Sequence, residues 1–70
     1  MDYGSIIQQR RKILGITQED VADVSQVSLS FLKMLEKGKA NPSVETLSRI
    51  LDSLGLEMQI SVKRPNAFML

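Results

Sequence analysis

The stretch that most constrains this chain is TQEDVADVSQVSLSFLKMLEKGK, residues 17–39. Thr17 and Ser28 each precede a run at helical spacing, and a hydroxyl there can accept a hydrogen bond from the first turn of a helix. The space between the two runs holds only a tight turn. Helices joined that closely cross at a steep angle, so a small residue is needed where they touch, and Ala22 supplies it. Apolar residues are needed before the turn, after it and twice in the second helix. Val21, Val27, Leu32 and Leu35 stand at those places.

The flanks continue in the same style. Residues 3–14 read as a helix with Ile6, Ile7, Ile13 and Leu14 on one inward face, Arg10 and Lys12 in solvent, and Gly15 at the end. Glu19 and Asp20 open the next helix, where negative charge favours the positive end of the dipole. Its apolar face is Val21, Ala22 and Val24, and it ends near Ser25 and Gln26. Phe31 flanks the core beside Leu32 and Leu35, and Gly38 ends the third helix. Lys39-Ala40-Asn41-Pro42 reads as a loop, because Asn before Pro disfavours helix. Ser43 caps a fourth helix with Leu47, Ile50, Leu51 and Leu54 inward, closed by Gly55. All of the glycines, Gly4 included, read as helix punctuation. The period then becomes two: Leu56, Met58, Ile60 and Val62 alternate with Glu57, Gln59, Ser61 and Lys63, which predicts a half-buried strand. Arg64-Pro65-Asn66 ends it, and Ala67 to Leu70 is an apolar tail. The expected division is a helical domain over 3–55, a strand over 56–64 and a tail over 65–70.

Composition narrows the function classes. The chain has 70 residues, enough for one domain that is marginally stable alone. It has no cysteine and no histidine, which excludes disulfides and Cys/His zinc sites and removes the commonest acid–base residue near neutral pH. No nucleophile–base set, metal cluster or Gly-rich phosphate loop is present, so neither an enzyme nor a cofactor is expected. No apolar run is long enough for a membrane span, and the N-terminus does not read as a signal peptide. The absence of cysteine fits a reducing cytoplasm, beside the nucleoid. Net charge is only +1, so the distribution of charge matters more than its sum. Arg10, Arg11 and Lys12 form one basic cluster; Lys33, Lys37 and Lys39 form another. For charge runs in general, a solvated face is the ordinary explanation.

The ordered set Leu14-Gly15-Ile16-Thr17-Gln18, Val21-Ala22, Val27-Ser28, Leu32, Leu35-Glu36-Lys37-Gly38, Pro42, Leu47, Ile50, Leu51, Leu54 and Gly55 resembles the Cro/C1-type helix-turn-helix family. The resemblance covers residues 6–55. It implies a mainly α fold of four to five helices, phage-repressor-like, in which the first helix of the motif lies across the DNA backbone and the second enters the major groove. One departure is Gln26, where the family usually has glycine in the turn; a left-handed non-glycine residue costs roughly 1 kcal/mol. The run SLGLEMQISV is similar to the HipB-like antitoxin branch, in which a C-terminal strand pairs with its copy in a second subunit. Leu56, Met58, Ile60 and Val62 would form that dimer contact.

The same resemblance implies site residues. Gln18 faces a phosphate, which also suits the N-terminus of a helix. Leu29, Ser30 and Lys33 occupy base-reading positions beside Ser28: Lys33 suits guanine O6 and N7, Ser30 several bases, and Leu29 a thymine methyl. Leu29 could alternatively pack in the core, and Met34 could stand at the groove wall or at a protein contact. Lys37, Lys39 and Asn41 reach backbone phosphates, with Arg10 adding another contact from the first helix. Arg11 pairs with Glu36 as structural support. The implied function is a dimeric transcriptional repressor on a palindromic operator in double-stranded DNA, the autorepressing antitoxin of a Hip-type kinase toxin. The alternatives are a generic repressor with no toxin partner, or a protein-interaction module that docks a partner through the tail.

Overall fold

The structure, a computed structural model, describes residues 2–61. Four helices follow in chain order: α1 (Tyr3–Leu14), α2 (Gln18–Ser25), α3 (Leu29–Glu36) and α4 (Val44–Ser53). Each begins at a side-chain cap. Asp2 accepts from the Ser5 N–H at 3.0 Å, Ser28 from Phe31 at 3.0 Å and Ser43 from Thr46 at 3.1 Å. Thr17 and Asp20 form a reciprocal capping box, with bonds of 3.1 and 3.0 Å. The left-handed positions that end helices include Gln26, at φ 59° and ψ 41°. It takes the role glycine usually fills, and the Val27 N–H closes the turn on the Ala22 carbonyl at 3.1 Å.

The core consists of Ile7, Val21, Ala22, Leu32, Leu35, Leu47, Ile50, Leu51 and Leu54. Tyr3, Ile16, Val27, Phe31, Ala40 and Leu56 pack against it, partly buried. The motif helices and α4 therefore present the apolar faces that their spacing predicts, with one exception: Val24 is 71% exposed.

In α1 the expected inward face is corrected. Only Gly4 and Ile7 are buried there, while Ile6, Ile13 and Leu14 are exposed. The reason is at Gly4, which is not punctuation. A Cβ at that position would run into the Leu35 carbonyl oxygen, and the Leu35 and Glu36 carbonyl carbons lie 3.3 and 3.4 Å from it. The backbones of α1 and α3 approach too closely for any side chain. The face that meets α3 is thus Gly4–Ile7–Arg11, at helical spacing of i, i+3 and i+7, and Ile6 and Ile13 turn away.

No strand forms among the described residues. Residues 56–61 have no regular secondary structure. The Leu56 N–H returns to the Leu51 carbonyl at 2.9 Å, and Leu56 packs on the core. Met58 is 41% exposed and Ile60 fully exposed. A ladder needs a partner at about 4.8 Å, and no described segment of the same chain supplies one. Val62 and the tail lie outside the described residues.

Candidate nucleic-acid interface

One buried ion pair ties α3 to α1. Arg11 donates to Glu36 as a fork, Nε to Oε2 at 2.9 Å and Nη2 to Oε1 at 3.0 Å. The Glu36 side chain is 2% exposed and that of Arg11 13%. The third arm of the guanidinium, Nη1, donates to the Ile16 carbonyl at 3.1 Å, just before α2. Donation to the Glu36 carboxylate holds the Arg11 pKa above its ordinary value, so this cation is permanent. Gln18 joins the same cluster, its Nε2 donating to Glu36 Oε1 at 3.1 Å. One carboxylate thus ties α1, the start of α2 and the end of α3 together. A side-chain amide carries two N–H donors, so Gln18 keeps one for a second acceptor.

With Glu36 turned inward, the outward face of α3 has no acid. Ser30, Lys33 and Met34 are exposed, Leu29 is half-buried, and Lys37 stands exposed just past the helix. Leu29 is absent from the side chains packed on the core among the described residues. Ser28 is exposed and its Oγ is taken up as the cap, which leaves its O–H free to donate. In the loop after α3, Lys39 and Asn41 are exposed. The Tyr3 hydroxyl donates to Asn41 Oδ1 at 3.3 Å, which leaves the amide N–H groups available to an acceptor. Asn41 also shares a shallow cleft with Ser28, Phe31 and Ser43. Near the start of α2, Asp20 is bound to the Thr17 N–H, which holds its carboxyl below the ordinary 3.8.

Arg10 stands apart from this set. Its Nε donates to the Leu54 carbonyl at 2.9 Å, and its Nη2 comes within 3.5 Å of the Cβ position at Gly55. The last carbonyls of a helix lack intrahelical donors and sit at the negative end of the dipole. Arg10, from which the sequence led us to expect a phosphate contact, therefore caps the end of α4 through its Nε. Arg49, which no sequence motif singles out, does the same for α2: its Nε donates to the Ser25 carbonyl at 3.0 Å. Ser25 is itself buried, and its Oγ donates to Ser53 Oγ at 3.3 Å. Neither residue belongs to a motif; an arginine at the edge of an apolar face was the one available signal. Among the described residues no cluster of His, Cys, Asp or Glu is placed to hold a metal, and no helix is long and apolar enough to cross a membrane.

The order of helices, the capped turn and the inward-facing glutamate can be set beside known proteins. The sequence matches the helix-turn-helix family HTH_3 over residues 7–60. The chain belongs to that family. This helix-turn-helix chain is 34% identical over 50 residues to the HTH-type transcriptional regulator DdrOP3 of Deinococcus deserti, covering 71% of the chain and 39% of that protein. It is 40% identical over 53 residues to an HTH-type transcriptional regulator of Methanothermobacter thermautotrophicus, covering 76% of the chain and 77% of that protein. Among solved structures, the restriction-modification controller protein C.AhdI of Aeromonas hydrophila superposes with a TM-score of 0.76 at 25% identity, covering 80% of this chain and 85% of that one. The helix-turn-helix chain thus spans well under half the length of DdrOP3 but most of the length of the other two.

Proposed function

We propose that this chain binds double-stranded DNA in a sequence-specific way and represses transcription, with α3 in the major groove and α2 across the backbone. The observation that carries the reading is the outward face of α3. It presents Ser30, Lys33 and Met34, with Leu29 at its flank, while its one acid, Glu36, is held inward by Arg11. Gln18, Lys37, Lys39 and Asn41 flank that face as phosphate contacts. Arg10 is left out of the set because it caps α4.

Titration of a labelled operator against the protein at several salt concentrations tests the proposal. Each phosphate neutralised contributes a slope of about −0.9 in log K against log salt, so removing Lys37 and Lys39 together should lower the slope by about 2 per chain. Replacing Ser30 and Lys33 by alanine should relax base preference and leave most of the slope. Unchanged discrimination in that variant would show that α3 is not the reading helix.

The operator is read as a palindrome and the binder as a two-fold dimer. Residues 57–61 make no backbone hydrogen bond to a described residue of their own chain, and Met58 and Ile60 are exposed. Antiparallel pairing of 56–62 with a second copy supplies the ladder and covers both side chains. Sedimentation of the full chain and of I60E is the check: a dimer that loses association in I60E supports the pairing, and a monomeric parent chain removes it. The finer reading, an antitoxin that also binds a Hip-type kinase, is motivated by the run from Ser53 to Val62. A generic repressor accounts equally for relatives that are transcriptional regulators. Co-expression with a kinase encoded beside the chain separates the two.

A further inference from the structure

The outward face of α3 carries an unusual mixture for a helix that reads base edges. Its exposed or half-exposed side chains are Leu29, Ser30, Lys33 and Met34. None is an amide that could grip adenine through N6 and N7, and none is a carboxylate that could accept from cytosine N4. Ser30 and Lys33 can hydrogen-bond to base edges, but Leu29 and Met34 cannot donate at all. Met34 is 49% exposed and Leu29 is unengaged with the core. Both lie within the one helix whose outward side is flanked by Lys33, Lys37 and Lys39, so the surface that would meet them is anionic. In the major groove the apolar feature that DNA offers is the 5-methyl group of a pyrimidine.

We propose, building on the DNA-binding reading above, that Leu29 and Met34 make this chain a reader of pyrimidine 5-methyl groups. Its half-site is specified by methyl positions facing Leu29 and Met34 and by a guanine facing Lys33. The chemistry recognised is the methyl group itself, which thymine and 5-methylcytosine share. Operator affinity therefore follows the pyrimidine methylation state at those positions.

The test uses the full chain. Duplexes enriched from a random pool are resynthesised with deoxyuridine in place of each thymine in turn. Loss of one buried methyl should weaken binding about fourfold at the positions that Leu29 and Met34 face, by the free energy of one buried carbon group. In L29A the sensitivity should vanish at one position, and in M34A at another. Both side chains are at least partly exposed, and circular dichroism of each variant confirms folding. In a third arm, a sensitive thymine is replaced by cytosine and then by 5-methylcytosine. Methylation should restore about fourfold over cytosine. Deoxyuridine without effect in the parent chain, sensitivity retained in both alanine variants, or 5-methylcytosine no better than cytosine would each overturn the proposal. A pool from which nothing is enriched overturns the DNA-binding reading itself, whereas enriched duplexes indifferent to the methyl overturn only the methyl readout.

Discussion

Replacing Glu36 by alanine removes the one carboxylate shared by three helices. The substitution leaves the Arg11 guanidinium, whose side chain is 13% exposed, without its fork partner. It also strips the acceptor from Gln18 Nε2. Removing one partner of a buried pair costs about 3–5 kcal/mol, mostly because the remaining charge stays desolvated. At about 0.05–0.15 kcal/mol per residue, a domain of this size has only about 4–10 kcal/mol of stability in total. Arg11 keeps its bond to the Ile16 carbonyl, which places the expected loss at the lower end, about 3 kcal/mol. That corresponds to a fall in Tm of about 12–24 °C. Urea and thermal unfolding, followed by circular dichroism, measure it directly. The double variant R11M with E36L should recover much of the loss, since two apolar groups leave no charge behind. A loss under about 1 kcal/mol for E36A, in the range of an exposed pair, would mean that the pair is solvated and does not hold α3 against α1.

Three further outcomes follow from local geometry. Gly4→Ala places a Cβ against the Leu35 carbonyl, and overpacking of about 1–3 kcal/mol outweighs the gain in helix propensity of about 1 kcal/mol; chemical denaturation should show a net loss, and an equally stable variant would mean that α1 and α3 part easily. Gln26→Gly relieves a left-handed residue, and a gain of at most about 1 kcal/mol is expected once the extra freedom of glycine in the unfolded chain is counted; a lower Tm would show that the Gln26 side chain contributes something beyond its backbone. Asp20 has its carboxyl held below the ordinary 3.8 by the Thr17 N–H, so its contribution is fully present above pH 3.8 and drains away as pH falls through the lower folded value. Acid unfolding of D20A should therefore lose that part of the pH dependence, and a profile identical to the parent's would argue against the capping box.

The extents of all four helices were legible in the chain because capping is local chemistry. Thr17, Ser28 and Ser43 act on N–H groups a few residues away, and Gly15 and Gln26 set the turns they occupy. The core faces of α2, α3 and α4 were legible for a related reason: their apolar residues fall at one spacing. The pairing of Arg11 with Glu36 entered only through the family resemblance, since nothing in composition or period selects that arginine over Arg10.

Tertiary packing decided the rest. α1 carries isoleucines on more than one side, so periodicity alone could not choose its inner face; the close approach of Gly4 to the Leu35 carbonyl chose it. The destinations of Arg10 and Arg49 were equally invisible, because each caps a helix distant in sequence, and a carbonyl becomes available there only once that helix has been packed alongside. The alternation from Leu56 to Val62 is plain in the sequence, yet a strand is a relation between two segments, and within residues 2–61 the second segment is not found. Local sequence fixes what each segment can donate, accept or bury. Which partner it meets depends on contacts between residues far apart in the chain, and those exist only in the folded arrangement.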